Sequence, residues 1–176
     1  MTTFKVGYLI GSLAKASINR KLANALVRLA PSALHMTEVP FRELPIYSYD
    51  YDADFPPPAR AFKSALGAVD AVLFVTPEYN RSIPGGLKNA IDWASRPYGK
   101  NSFARKPSAV IGTSPGAIGT AVAQQSLRSV LSFCNSPQMN AIEAYVEFTP
   151  GLITDGGEVT LDSTGEFLRS YMTEFH

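Results

Sequence analysis

The sequence is poor in cysteine and histidine, and it carries almost no net charge. Its single cysteine excludes a disulfide within the chain, and two histidines, His35 and His176, are too few to indicate a zinc or iron site. A formal net charge of +1 leaves no surplus of positive charge for binding nucleic acid or an anionic membrane. We therefore expect no metal centre, no nucleic-acid partner and no membrane partner.

Long apolar runs are also missing. The beginning, MTTFKVGYLIGSLAK, has a short apolar run with no charged segment before it, which indicates a first strand rather than a signal peptide or a membrane span. We therefore expect a cytoplasmic protein. The 176 residues, 45% of them hydrophobic and 18% charged, suit a single globular domain over 1–176.

Short β-rich runs alternate with segments of helical period. Because right-handed crossovers leave few other topologies, this alternation predicts an α/β flavodoxin-like three-layer sandwich, with a five-stranded parallel sheet of order 2-1-3-4-5 and helices on both faces. A ligand then binds beyond the carboxyl ends of the central strands, at loops 11–19, 76–86 and 113–120. The predicted strands are 4–10, 34–39, 70–76, 107–113 and 139–146, and the predicted helices are 18–30, 59–68, 86–95, 119–134 and a terminal helix around 167–175.

The loop after the first strand, GSLAKASINR (11–20), runs into the first helix and carries Ser12, Ser17 and Asn19. The free backbone N–H groups and the positive dipole end of a helix start favour an anion, so this loop is a candidate site for a phosphate monoester. A plainer interpretation is that Ser17 only caps the helix. The loop has neither GxxxxGK[ST] nor GxGxxG spacing, so we expect no nucleoside triphosphate there.

The loop after the third strand, TPEYNRSIPGG, is stiffened at both ends. Pro77 and Pro84 fix two backbone angles, and the two glycines that follow permit a close approach before the next helix. Between the prolines, an acid, an aromatic, an amide and a cation offer aromatic and polar surface to a planar polar ring. These residues are Glu78, Tyr79, Asn80 and Arg81.

Side chains farther along have plainer interpretations. Trp93 and Ile91 are expected to be packing or subunit-interface residues. Lys88 and Asp92, spaced i to i+4, predict a solvated ion pair on the helix surface. Cys134 falls on the apolar stripe of the fourth helix, which indicates core packing.

The loop after the fourth strand, TSPGAIG (113–119), overlaps a GxSxG pattern that runs from Gly112 to Gly116 around Ser114, the pattern of the nucleophile elbow in α/β-hydrolases. Asp155 or Asp162, followed by His176, even supplies the order of a catalytic triad. Two observations make hydrolysis the weaker interpretation. Pro115 has no backbone N–H to donate to an oxyanion, and His176 is a terminal residue that is expected to fray.

The three loops together resemble the NAD(P)H-dependent FMN reductase family, in particular its soluble quinone and chromate reductase group. The resemblance covers nearly the whole chain and is strongest over PEYNRSIPGGLKNAIDW, with support from GSLAKASINR and SPGAIGTAVAQQSLR. It implies a flavodoxin-like homodimer or homotetramer that binds FMN non-covalently and uses NADPH or NADH as co-substrate. No side chain is assigned as an acid, base or nucleophile.

The resemblance also implies the residues around the cofactor. The chain departs from the family at Ala14, where arginine is common, and at Thr120, where a second glycine is common. Weaker FMN retention is the expected result, and Ala14→Arg is expected to raise the affinity. The implied phosphate-side residues are Ser12, Ala14, Lys15, Ala16, Ser17, Ile18 and Asn19, and the implied isoalloxazine-side residues are Pro77, Glu78, Tyr79, Asn80, Arg81, Ser114 and Gly116.

The implied reaction is hydride transfer from a nicotinamide to bound FMN and onward, in a ping-pong cycle, to a quinone, free flavin, an azo dye or chromate. Two alternatives are a flavodoxin-type electron carrier and a flavin-free binding module on the same fold. Carriers are usually strongly acidic monomers, whereas this chain is nearly neutral and has a tryptophan-bearing helix at 87–95 suited to association. In an oligomer, Arg96, Tyr98 and the loop 40–58 are candidates for closing a neighbour's site.

Overall fold

Three apolar strands form the centre of a parallel sheet. The computed structural model describes residues 2–176, and its central strand Ala71–Val75 (β3) lies between Phe4–Ile10 (β1) and Ser108–Ser114 (β4). All residues of β3 after the first are buried, as expected for a parallel sheet that is covered on both faces. The order β2-β1-β3-β4-β5 confirms the predicted flavodoxin-like topology. The two edge strands are Leu34–Glu38 (β2) and Tyr145–Glu147 (β5).

Five helices cover this sheet. Successive side chains of a strand point to opposite faces, so the sheet carries two apolar cores. On one face, Leu9 and Phe74 pack with the helices over 57–67, 85–95 and 121–133, and on the other, Leu73 and Val75 pack with the helices over 18–29 and 162–175. Because all strands run in the same direction, the loops after β1, β3 and β4 lie at one edge. The helices are Ile18–Leu29 (α1), Pro57–Gly67 (α2), Gly85–Ser95 (α3), Ala121–Phe133 (α4) and Asp162–Phe175 (α5).

The helix boundaries follow backbone chemistry. The first helix stops before Ala30, whose extended backbone is the conformation favoured before Pro31. The second begins at Pro57, earlier than predicted. Proline is tolerated there because the first helical turn does not need the backbone N–H that proline lacks. The fourth begins after Gly119 and Thr120, later than predicted, because both residues have positive φ angles.

The fifth strand is shorter and begins later than predicted. The sequence predicts a strand over 139–146, but the strand that pairs with β4 is Tyr145–Glu147, and before it β4 forms an isolated bridge between Ser108 and Gln138. Side chains of α4 bind the preceding backbone instead. Arg128 Nη1 donates to the carbonyl oxygen of Met139 over 3.0 Å, and Gln124 Nε2 donates to that of Ala144 over 2.8 Å. These bonds fix the segment against the helix, and the predicted boundary is therefore wrong.

The long loop between β2 and α2 closes over Trp93 in α3. Trp93 is fully buried, and its Nε1 donates to the carbonyl oxygen of Pro45 over 2.7 Å. The rings of Tyr47, Tyr51 and Phe55 surround it, with centroids 5.0 to 5.4 Å away. Trp93 is thus a packing residue within the chain. The Trp93 side chain offers no surface to another subunit, so the expectation that this tryptophan suits the helix at 87–95 to association is wrong.

The expectations for the other side chains of this region are met. Cys134 is buried in the core on the α3 side of the sheet. Lys88 and Asp92 form the expected ion pair, with 2.7 Å between Nζ and Oδ1, and both side chains remain partly exposed. Within 2–176, no helix combines the length and the apolar character that crossing a bilayer requires.

Candidate functional site

The three predicted loops meet at the carboxyl edge of the sheet and enclose a cleft of about 230 Å³. The predicted residues Lys15, Asn80, Arg81 and Gly116 do not line it. A larger cavity of about 770 Å³ lies between 40–44 and α2, and it contains none of the predicted site residues. The cleft is lined by Ser12, Ala14, Ala16, Ser17, Ile18, Asn19, Pro77, Glu78, Tyr79, Thr113, Ser114 and Pro115.

The start of α1 presents backbone donors to this cleft. Ser17 is the N-cap, and its Oγ accepts a hydrogen bond from the backbone N–H of Arg20 over 3.2 Å, so the capping interpretation is confirmed. Within 2–176, the backbone N–H groups of Ile18 and Asn19 have no acceptor. They lie at the positive end of the helix dipole. The cap therefore leaves two donors available to an anion in the cleft.

Asn19 joins the first loop to the third. Its side-chain Nδ2 donates to the carbonyl oxygen of Thr113 over 2.9 Å, and its Oδ1 accepts from the N–H of Thr113 over 3.0 Å. Both bonds are buried. The Asn19 side chain thus fixes α1 against the end of β4, and only its second amide hydrogen and its backbone N–H are left for a ligand.

The second loop contains a tight hairpin turn. Tyr79 and Ser82 exchange two backbone hydrogen bonds of 3.0 Å, and the residues between them, Asn80 and Arg81, have φ angles of 51° and 61°. Two positive φ angles in a two-residue connection define a type I′ turn. The turn leaves Tyr79 half exposed at the rim of the cleft. Asparagine tolerates this backbone, which explains Asn80, whereas Arg81 contacts Glu78.

Glu78 caps a helix, which the sequence reasoning missed. Its Oε2 accepts hydrogen bonds from the backbone N–H groups of Val122 and Ala123, both over 3.1 Å. Its Oε1 accepts from Arg81 Nη1 over 2.9 Å, and the Glu78 side chain is only 9% exposed. The N-cap residue of α4, Thr120, provides no side-chain cap of its own. Glu78 thus joins the second loop to the helix that follows the third.

Thr120 occupies a backbone conformation that favours glycine. Its φ angle is 69°, and its buried Oγ1 accepts from Gln124 Nε2 over 3.0 Å. The hydroxyl lies directly above Gly112, where a Cβ would come within 2.2 Å of it. Gly112 must therefore lack a side chain. In the same loop, Ser114 Oγ donates to the carbonyl oxygen of Gly116 over 2.9 Å.

The hydrolase alternative lacks a base near Ser114. Ser114 ends β4 at the carboxyl edge of the sheet. His176 packs against Phe4 at the opposite edge, where β1 begins, with 6.0 Å between the ring centroids. His35 lies in β2 beside Lys5, near the same opposite edge. Neither imidazole contacts the serine, so the GxSxG pattern here is a sharp turn without a triad.

An ion pair lies beside the first loop. Arg20, in the first turn of α1, donates two hydrogen bonds of 2.9 Å to the carboxylate of Glu38 at the end of β2. The hydrogen bond to Glu38 raises the pKa of Arg20 above its ordinary value. Burial, and then the charge of Glu38, raises the pKa of Tyr8. Tyr8 therefore stays protonated and neutral at physiological pH.

Comparison with known proteins agrees with this geometry. A family model for NADPH-dependent FMN reductases matches residues 4–151. The chain belongs to this family. Among its relatives, a 2-hydroxy-1,4-benzoquinone reductase from a Burkholderia species is 47% identical over 97% of this chain and 93% of its own. A quinone reductase from Pseudomonas putida is 46% identical over 98% of this chain and 92% of its own.

A solved structure extends the match to three dimensions. The flavoenzyme NAD(P)H:acceptor oxidoreductase FerB of Paracoccus denitrificans superposes with a TM-score of 0.94 at 43% sequence identity. The alignment covers 98% of this chain and 95% of that one. The FMN reductase assignment therefore holds for the fold as well as for the sequence.

Proposed function

We propose that the protein is an FMN-dependent NAD(P)H oxidoreductase whose acceptors are quinones or similar oxidants. The observation that carries the proposal is the pair of free N–H groups at Ile18 and Asn19, which open into a cleft built from three loops. Membership of the FMN reductase family supports it. Ser12, Ser17 and the N–H groups of Ile18 and Asn19 would hold the phosphate of FMN, and the bound flavin would supply the redox chemistry between the nicotinamide and the acceptor.

The residues at the start of α1 fit a phosphate. A helix N-terminus with free N–H groups binds anions without further adaptation. Ser12 and Ser17 add hydroxyl groups to the wall of the cleft, and Lys15 adds positive charge beside it. These residues hold the phosphate in our proposal, and none of them takes part in proton or hydride transfer.

The opposite part of the cleft fits a flat ring. Pro77 and Pro115 form stiff walls, and Tyr79 lies half exposed at the rim. The volume of about 230 Å³ is below the roughly 300 to 1,000 Å³ of enclosed ligand sites. A ring bound there keeps one face open to solvent. The nicotinamide and the acceptor would use this open face in turn, as a ping-pong cycle requires.

The remaining assignments concern the context of the enzyme. We propose quinones as the main acceptor class, because relatives at 46% and 47% identity are named as quinone reductases. We also propose a single domain, a cytoplasmic location where reduced nicotinamides are available, and a homodimer or homotetramer. Exposed apolar side chains on the loop after β2 and after α3, Ile46, Tyr49 and Tyr98, support self-association.

Steady-state kinetics test the proposal. The purified protein, reconstituted with FMN, is assayed with NADH and NADPH against benzoquinone, free FMN, an azo dye and chromate. We expect quinone-dependent oxidation of a nicotinamide with parallel double-reciprocal lines. FMN binding without nicotinamide oxidation would indicate an electron carrier, and failure to bind FMN would indicate a flavin-free module. Either result contradicts the proposal.

A further inference from the structure

Three cations lie near the phosphate-side loop 11–17, and one of them is already neutralised. Arg20 donates to both carboxylate oxygens of Glu38, so this pair adds no net charge to its surroundings. Lys15 lies in the loop itself and forms no ion pair within 2–176. The third cation is Arg42, in the loop that follows β2.

The sheet topology brings Arg42 to the phosphate-side loop. Since β1 and β2 are parallel neighbours, the loops that follow them lie side by side. Arg42 Nη2 donates a hydrogen bond to the carbonyl oxygen of Leu13. Arg42 and Leu13 also line a small cavity of about 70 Å³, together with Ser12. Ser12 in turn lines the candidate cleft, so the carbonyl group that Arg42 binds belongs to the residue next to a cleft residue.

The charge of Arg42 has no partner of opposite sign among the described residues. Its one hydrogen bond goes to a neutral carbonyl group. Glu38, which lines the same small cavity, has both oxygens occupied by Arg20. Glu43, the next residue in the chain, lines the larger cavity near α2 together with Arg42, yet it forms no ion pair within 2–176. The positive charge of Arg42 is therefore not neutralised by any carboxylate of the described residues.

Resting on the proposed function, we propose that Arg42 supplies positive charge to the phosphate of FMN and so contributes to selection of FMN over flavins that lack a phosphate. A phosphomonoester carries about −1.5 to −2 charges at pH 7. The dipole of α1 offers about half a positive charge and Lys15 one more, which leaves up to about half a charge of the phosphate uncompensated. Residue 14, in the loop itself, is alanine and adds none.

The test compares two ligands that differ only in the phosphate. Apoprotein is titrated with FMN and with riboflavin, and quenching of flavin fluorescence gives each dissociation constant. We expect Arg42→Gln to weaken FMN binding about three- to tenfold, as for one charge acting at an exposed site, and to leave riboflavin binding unchanged. Arg42→Lys keeps the charge and is expected to stay within about twofold of the parent.

Three further variants sharpen the test. Arg169→Gln removes one exposed positive charge from α5, outside the cleft, and is expected to change neither affinity. Adding Ala14→Arg to Arg42→Gln places a cation in the loop and is expected to restore FMN affinity. Raising the salt concentration is expected to shrink the difference between the parent and Arg42→Gln, because the interaction is exposed and screened.

The outcomes separate this proposal from the proposed function. Equal weakening of FMN and riboflavin means that Arg42 only shapes the loop, and unchanged FMN affinity means that its charge is not used. A rise in the KM for NADPH with unchanged FMN affinity means that Arg42 serves the dinucleotide. Each of these three results overturns the proposal while the enzyme assignment stands. Failure of the parent protein to bind FMN overturns the proposed function itself.

Discussion

Glu78 offers the sharpest test of how the loops are held together. Glu78→Ala leaves the N–H groups of Val122 and Ala123 without an acceptor at the start of α4. Loss of an N-terminal cap costs about 0.5 to 2 kcal/mol, and loss of a carboxylate from a partly buried helix start costs up to about 2 kcal/mol. The ion pair with Arg81 adds less than about 1 kcal/mol, because Arg81 is 65% exposed.

We therefore expect Glu78→Ala to lower the free energy of unfolding by about 2 to 4 kcal/mol, measured by urea denaturation. Glu78→Gln keeps a neutral acceptor and is expected to cost about half as much. Hydrogen exchange gives a local measurement, in which the amides of Val122 and Ala123 exchange faster while those of α1 change little. FMN affinity is expected to fall as well, because Glu78 fixes the second loop to the start of α4.

Arg81→Gln is the matched control for Glu78, because it removes the ion pair and keeps the cap. Its free energy of unfolding is expected to stay within about 1 kcal/mol of the parent value. The reasoning is refuted if Glu78→Ala falls within about 0.5 kcal/mol of the parent, or if Arg81→Gln destabilises the protein as much as Glu78→Ala.

Three other changes probe the site and its supports. Asn19→Ala leaves both backbone groups of Thr113 without their partner and is expected to cost about 2 to 4 kcal/mol in urea denaturation. Gly119→Ala places a Cβ 2.5 Å from the carbonyl carbon of Tyr145 at a φ of 55°, so we expect a loss of about 3 kcal/mol or more, or failure to fold. Burial lowers the pKa of Lys63 to about 8, whereas the unfolded chain keeps a value near 10.5. Between these values the unfolded chain binds more protons, so the free energy of unfolding of the parent relative to Lys63→Met is expected to rise from about pH 7 to about pH 10.

Matched controls accompany two of these changes. Asn24 donates one exposed hydrogen bond, to the carbonyl oxygen of Asp155, so Asn24→Ala is expected to cost less than about 1 kcal/mol. Gly116→Ala meets no atom within 4 Å and is expected to be tolerated. A cost for Asn24→Ala equal to that of Asn19→Ala, or full tolerance of Gly119→Ala, contradicts the structural explanation. For Lys63, a difference that falls with rising pH contradicts the sign of its pKa shift.

The order of the sheet follows from the sequence because the signals are local. The apolar runs around β1, β3 and β4 are buried on both faces, and the crossover rule leaves few arrangements of them. The fifth strand was misplaced because residues 139–144 have strand-like composition while α4 side chains bind their carbonyl groups. Those contacts join residues far enough apart in sequence that no periodic pattern reveals them.

In the candidate site too, features with a local sequence signal could be predicted, and features that depend on distant contacts could not. The phosphate-side loop 11–17 is recognisable from a short stretch, because serine caps and helix starts have local chemistry. The turn at Asn80 and Arg81 was not predicted, since its second central residue is an arginine and not the glycine typical of such turns. Glu78 carries no such signal, since its partners Val122 and Ala123 lie 44 and 45 residues away. No local sequence pattern indicates a role for Arg42 either, because only the pairing of β1 with β2 brings it to Leu13.

The most direct test of the central claim removes a single backbone donor at the start of α1. Ile18 is the first residue of this helix, where proline is tolerated, and the extended backbone of Ser17 suits a following proline. Ile18→Pro therefore deletes one N–H group with little effect on the helix, and Ile18→Ala retains the N–H as a control. We expect Ile18→Pro to bind FMN about tenfold or more weakly than Ile18→Ala does, with equal riboflavin affinities, as for loss of a hydrogen bond to a charged group. Equal FMN affinities for the two variants would contradict a phosphate at the start of α1.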